Sequence, residues 1–81
     1  MQKEQLKTAI EQYVIDQVKK IRNSKAITQS ELATMIGLSS SFIGDVENPT
    51  RRAKYNLNHL NKIAEKLDCE FQDFFPKKAL I

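Results

Sequence analysis

Along most of this chain apolar residues return at steps of three and four, the period of helices that each bury one stripe. The first such run, about Lys3 to Asn23, puts Leu6, Ile10, Tyr13, Val14, Val18 and Ile21 on one face and Lys7, Glu11, Gln12 and Lys20 on others. It predicts a long first helix, broken at Asn23-Ser24-Lys25. A second, short helix is predicted from Gln29 to Ile36. Thr28 opens it as N-cap, and Glu31 can reach back to the backbone N–H of the cap. Leu32, Ala33 and Ile36 form its buried side, and Gly37 ends it in the left-handed conformation. Ser39 caps a third helix in which Phe42, Ile43 and Val46 recur at helical spacing. Asn48-Pro49 stops it, because the proline ring disfavours a helical Asn48 and supplies no N–H. A polar, basic loop, Thr50-Arg51-Arg52-Ala53-Lys54, leads to a fourth helix over about Asn58 to Leu67, with Leu57, Leu60, Ile63, Ala64 and Leu67 on its stripe. A fifth short helix or turn is predicted around Phe71 to Phe75, closed by Pro76, with at least two of its three phenylalanines plugging one end of the core. Residues 77–81 are expected to fray.

The expected fold class is therefore all-α: a compact bundle of five helices with a helix-turn-helix core and a long first helix. At 81 residues a single domain over 1–81 is expected, its helix-turn-helix unit at about 28–48. Only two Gly and two Pro agree with helices joined by short turns. The net charge of +3 says little until it is divided along the chain. Residues 28–48 hold no Lys or Arg against three acids, whereas 1–27 hold six against three and 49–81 seven against four. An acidic middle thus lies between two basic flanks.

Candidate chemistry is sparse. Cys69 is the only cysteine, so a disulfide framework or a cysteine zinc site within one chain is excluded, and a reducing cytoplasm is expected. The residue is read as a buried thiol. His59 has no ligand partner at metal spacing and is read as structural or exposed. No Ser/His/Asp set, paired carboxylates or phosphate-cradling glycine loop is present, so no enzyme, cofactor or metal is expected. No apolar run is long enough to cross a bilayer, and the polar, acid-containing start matches no signal or transit peptide.

Two short helices joined at Gly37-Leu38-Ser39 make a helix-turn-helix unit. Ile21-Arg22, Ile27-Thr28-Gln29-Ser30-Glu31-Leu32-Ala33, Ile36-Gly37-Leu38-Ser39, Phe42-Ile43 and Val46-Glu47-Asn48 follow in order, and Leu60 to Leu67 comes after them. Together they resemble the lambda-repressor-like, Xre-type helix-turn-helix family over roughly Val18 to Phe75. Pro49 departs from it, standing where the family usually has glycine.

The resemblance implies a third helix that enters the DNA major groove while the second crosses the backbone. It places Gln29 at a phosphate, Ser39, Ser40, Ser41, Gly44 and Asp45 toward the groove, and Asn48 near the backbone. It also implies an internal ion pair between Arg22 and Glu47. Spacing alone agrees on the face: with Ile43 and Val46 inward, Ser40, Ser41, Gly44 and Asp45 point outward. The third helix has no Lys or Arg, so Arg51, Arg52 and Lys54 are the expected phosphate clamps. Asp45 can accept a bond from a cytosine amino group, and Phe42 is expected to be partly buried. The expected function is a sequence-specific transcriptional regulator that binds double-stranded DNA as a homodimer on a pseudo-palindromic operator. The acidic middle and the serine-rich face keep open an antitoxin or adaptor that engages a protein partner with weak or no DNA binding.

Overall fold

The structure is a computed structural model and describes residues 6–81. Four α-helices follow one another: α1 (Ala9–Ser24), α2 (Gln29–Ile36), α3 (Ser40–Glu47) and α4 (Leu57–Lys66), with a 3-10 turn at Phe71–Phe74. No strand occurs among the described residues.

Two boundaries differ from expectation. The first helix begins at Ala9 instead of near Lys3; residues 3–5 lie outside the described residues, and residues 6–8 are not helical. Thr8 is its N-cap: the Thr8 hydroxyl accepts from the Glu11 N–H at 3.3 Å, and Glu11 Oε1 accepts from the Thr8 N–H at 2.8 Å. This is the same Thr-x-x-Glu box that opens α2, so the sequence holds a start signal there, overshadowed by the apolar phase of Leu6.

The fifth segment is not an α-helix, so among the described residues the bundle has four α-helices where five helices are expected. Asp68 leaves α4 with a φ of 52°, and Phe75, restricted by the following Pro76, is extended at φ −116° and ψ 148°. Between them the chain makes a single 3-10 turn of four residues. That turn still seats Phe74 fully in the core.

Val18, Leu32, Ile43, Val46, Ile63 and Leu67 join Phe74 as fully buried side chains, so each helix contributes to the core. Each such burial stabilises the fold by about 1.5–3 kcal/mol before conformational entropy is set against it. Ile15 is also buried, although the period read from the first helix passes over it. Leu57 departs the other way: 69% exposed, it stands at the rim of an apolar groove lined by Ile10, Val14, Ile15, Leu60 and Phe75. As the first residue of α4 it has the right phase but lies beyond the edge of the packed core.

The turn between α2 and α3 is tight. Gly37 takes φ 74° and ψ 29°, its N–H bonds back to Thr34, and the Leu38 N–H reaches the Ala33 carbonyl at 2.8 Å. This paired closure satisfies the Ala33 and Thr34 carbonyls in the last turn of α2 and redirects the chain within two residues. Ser39 then caps α3 through the Phe42 N–H at 3.2 Å.

Candidate nucleic-acid interface

Because Ile43 and Val46 fasten α3 to the core, its opposite face is left to solvent. That face and the first turn of α2 line a shallow open cleft. Thr28, Gln29 and Ser30 form one wall, Ser40, Ser41, Gly44 and Asp45 the other, with Asn48 at one end and Arg22 also lining it. Gln29, Ser40, Ser41, Gly44, Asp45 and Asn48 are thus brought together. Thr28 and Ser30 belong to the same cleft, and sequence reasoning misses them; they flank Gln29 in the capped first turn of α2, which is the available signal.

Ser39 is placed differently, at the helix start, where its hydroxyl is the cap and lies 3.2 Å from that of Ser41. Arg51 reaches the cleft's edge, its Nε 4.0 Å from Asp45 Oδ1, with both groups exposed. Such a pair contributes little, roughly 0–1 kcal/mol, so Arg51 remains able to swing outward. Arg52 is exposed in the same loop. Lys54 is turned to another surface: its Nζ lies 3.3 Å from Glu11 on α1, beside the apolar groove.

Three side chains, one from each helix, tie α1, α2 and α3 together. Arg22 meets Glu47 in a two-pronged pair, Nε to Oε2 at 3.2 Å and Nη2 to Oε1 at 2.9 Å. Its Nη1 donates to the Ile27 carbonyl at 2.7 Å. Gln29 Nε2 also donates to Glu47 Oε1, at 2.9 Å, so the side chain expected at a phosphate braces the two helices. Gly44 faces it; a Cβ there would sit 3.5 Å from Gln29 Oε1, an ordinary contact.

The acids of the middle segment are mostly committed to structure. Glu47 is held by Arg22 and Gln29. Glu31 Oε1 accepts from the Thr28 N–H at 2.9 Å, and this bond, with that of the Thr28 side chain, holds its carboxyl below the usual range. Asp45 alone of the three faces the cleft.

Behind α3, Phe42 is half-buried and packs on His59 with ring centroids 5.1 Å apart. His59 Nδ1 accepts from the Asn56 N–H at 3.1 Å, closing a capping box for α4. Tyr55 packs edge-on against both rings, and burial, followed by the charge of Glu47, pushes its phenol strongly up. Its buried hydroxyl has no hydrogen-bond partner among the described residues. Cys69 is half-buried, and burial likewise raises its thiol. Among the described residues no three His, Cys, Asp or Glu side chains are grouped to hold a metal ion, and no helix is long and apolar enough to cross a membrane.

Lys7, on an outer face by helical phase, instead precedes α1 and turns inward, its Nζ donating to the carbonyls of Asn48 and Arg51.

A short capped helix, a left-handed glycine turn and a second short helix with a free polar face, all braced by α1, define a helix-turn-helix protein of the lambda-repressor-like, Xre type. The chain belongs to the helix-turn-helix family HTH_3, whose model matches residues 18–74. Among solved structures it is similar to the restriction-modification controller protein C.AhdI from Aeromonas hydrophila. That match is 28% identical, covers 78% of this chain and 92% of that one, and has a TM-score of 0.68. A transcriptional regulator of the same family from Vibrio cholerae is 25% identical over 80% of this chain and 35% of its own, with a TM-score of 0.69. Hydroxypropylphosphonic acid epoxidase from S. wedmorenis shares the fold at 19% identity and a TM-score of 0.70, over 83% of this chain and 35% of its own. No curated protein sequence matches the chain.

Proposed function

We propose that this chain is a DNA-binding transcriptional regulator without enzymatic activity, acting as a homodimer on a pseudo-palindromic operator. The observation that carries the reading is the polar face of α3, kept free of the core and braced against α1 and α2 through Arg22, Glu47 and Gln29. The likeness to a controller protein over nearly its whole length supports it. On this reading Ser40, Ser41 and Asp45 face base edges while the N-terminus of α2 and Arg51 and Arg52 meet phosphates. A lone α3 of eight residues spans few base pairs, whereas a two-fold pair sets two such helices about 34 Å apart on one side of the duplex. A cytoplasmic location follows from the same reading.

The antitoxin or adaptor reading has one observation in its favour, the apolar groove beside the exposed Leu57. Selection from a random duplex library, followed by anisotropy titrations at two salt concentrations, separates the two. A regulator shows salt-dependent binding. Replacing Arg51 and Arg52 by Gln lowers its log–log salt slope by up to about 1.8, that is roughly 0.9 for each phosphate no longer neutralised, on selected and unrelated duplexes alike. Asp45→Ala changes the ranking of sequences instead. Absence of salt-dependent binding to every duplex would refute the regulator reading, and a monomer by sedimentation both free and on a two-half-site duplex would refute the dimer.

A further inference from the structure

Lys7 precedes the stretch that the family model covers, yet it is one of two charged residues buried as a whole among the described residues. Its Nζ donates to the Asn48 carbonyl at 2.7 Å and to the Arg51 carbonyl at 2.8 Å, across 41 and 44 residues of chain. An ammonium group is costly to bury unless its donors are used, and here two of the three are.

The two carbonyls bracket the turn that follows α3. Asn48 caps that helix, and the Arg51 N–H returns to the Asn48 carbonyl at 3.0 Å. Thr50 donates its N–H and its hydroxyl to Asn48 Oδ1 at 3.0 and 2.8 Å. These bonds shape the turn internally but do not fix it relative to the rest of the fold. The Lys7 bonds do: they tie the turn to the entry of α1, while Arg22 at the far end of the same helix holds Glu47 at the end of α3. A cation at the C-terminus of α3 is also favoured by the helix dipole. The burial of Lys7 and the neighbouring charge of Lys54 lower its pKa.

We propose that Lys7 is a positioning residue for nucleic-acid binding: by clasping the Asn48 and Arg51 carbonyls it sets the turn so that Arg51 and Arg52 are presented beside α3 to a phosphate backbone. This rests on the DNA-binding reading. Lys7 acts through the loop and touches no phosphate. Where only an ordered fraction of loops can bind, the apparent affinity falls by that fraction, so the clasp raises affinity while Lys7 itself stays off the DNA.

The test uses the full chain, Lys7→Met to remove the donors and Lys7→Arg to restore them. Amide exchange is read in the free protein, and anisotropy is read on a fluorescein-labelled mixed-sequence duplex. In Lys7→Met the Thr50 and Arg51 amides exchange roughly tenfold faster while α4 is unchanged, and duplex affinity falls measurably, the exchange factor being the upper bound on that loss. Lys7→Arg recovers both. Unchanged exchange in Lys7→Met overturns the proposal, as does a loosened turn with unaltered affinity. A reduced salt slope with an unaltered turn would mean that Lys7 meets a phosphate directly, which also overturns it. In the unaltered chain, the Lys7 ammonium shows NMR couplings across its hydrogen bonds to the Asn48 and Arg51 carbonyl carbons. Their absence overturns the proposal even if Lys7→Met fails to fold. Should the unaltered chain bind no duplex while the turn still responds to Lys7, the DNA reading itself fails and the presenting role falls with it.

Discussion

Replacing Glu47 by Ala tests whether α3 is held in place by charge. The Glu47 side chain is 3% exposed and that of Arg22 7%. The substitution removes the acceptor of three N–H groups, two from Arg22 and one from Gln29, and leaves the guanidinium with only the Ile27 carbonyl. Stranding one partner of a buried pair costs about 3–5 kcal/mol. The lower end applies here, since Arg22 keeps one acceptor and the part-exposed Gln29 amide can turn to water. A chain of this length has a total stability of roughly 4–12 kcal/mol, so the variant sits close to unfolding. At about 4–8 °C per kcal/mol, the melting point falls by at least ~12 °C. Glu65→Ala is the control: that side chain is 75% exposed and 4.0 Å from Lys66, and its loss lies within about 0.5 kcal/mol of zero. Thermal and urea melts followed by circular dichroism measure both. Replacing the pair together, Arg22→Met with Glu47→Leu, recovers most of the loss because no charge is left stranded. Equal melting shifts for Glu47→Ala and Glu65→Ala would refute the reasoning and make Glu47 an ordinary solvated carboxylate.

The two glycines respond oppositely to Ala. Gly37→Ala forces a side chain into φ 74° with open space around it, so strain alone lowers stability, by about 1–2 kcal/mol. Gly44→Ala makes only an ordinary contact with Gln29 and raises stability by up to about 1 kcal/mol through helix propensity, and urea melts separate the two. Glu31 supplies a pH test: its folded-state pKa is lowered by its Thr28 bonds, so its contribution is full above the unfolded value near 4.5 and is lost as pH falls through the folded one. The melting advantage of the unaltered chain over Glu31→Gln is therefore present at neutral pH and gone in strong acid; a constant difference across that range would contradict the capping role.

The helix-turn-helix unit is readable because its signals are local. Thr28 and Glu31, Gly37, Ser39 and Pro49 each act within one turn of chain, and the structure places the ends of α2 and α3 at those residues. The fifth segment is harder, because the apolar pattern of Phe71, Phe74 and Phe75 fits a 3-10 turn as well as an α-helix; Asp68 and Pro76 at either side decide it. Lys7 is illegible for another reason. A lysine in helical phase reads as solvated, and only the fold brings two carbonyls from beyond α3 to its ammonium. Lys54 shows the same limit, since its neighbour Glu11 is far away in sequence but adjacent in space.

The charge of the cleft face cannot be summed from the sequence either. Residues 28–48 total three acids and no base, which taken alone argues against approach to a polyanion. The fold answers by position. Glu47 is neutralised internally, and Glu31 is drawn back onto the backbone of its own cap. That leaves Asp45 as the one carboxylate of this segment on the cleft, with Arg51 beside it. On the proposed reading these two divide the work by reach. Ser40, Ser41 and Gly44 are small and let the α3 backbone come close to a groove floor, where Asp45 can accept from a base but is repelled by phosphates. The longer Arg51 passes that carboxylate to the rim, screening it and meeting the backbone. The Asp45→Ala variant should accordingly bind unrelated duplexes more tightly than the parent, because a repulsive charge is gone, while discriminating less among sequences. Anisotropy titrations on selected and unrelated duplexes at low salt read both quantities. Weaker binding to unrelated duplexes would show that Asp45 serves mainly to hold Arg51 in place, and that sequence preference must come from elsewhere on α3.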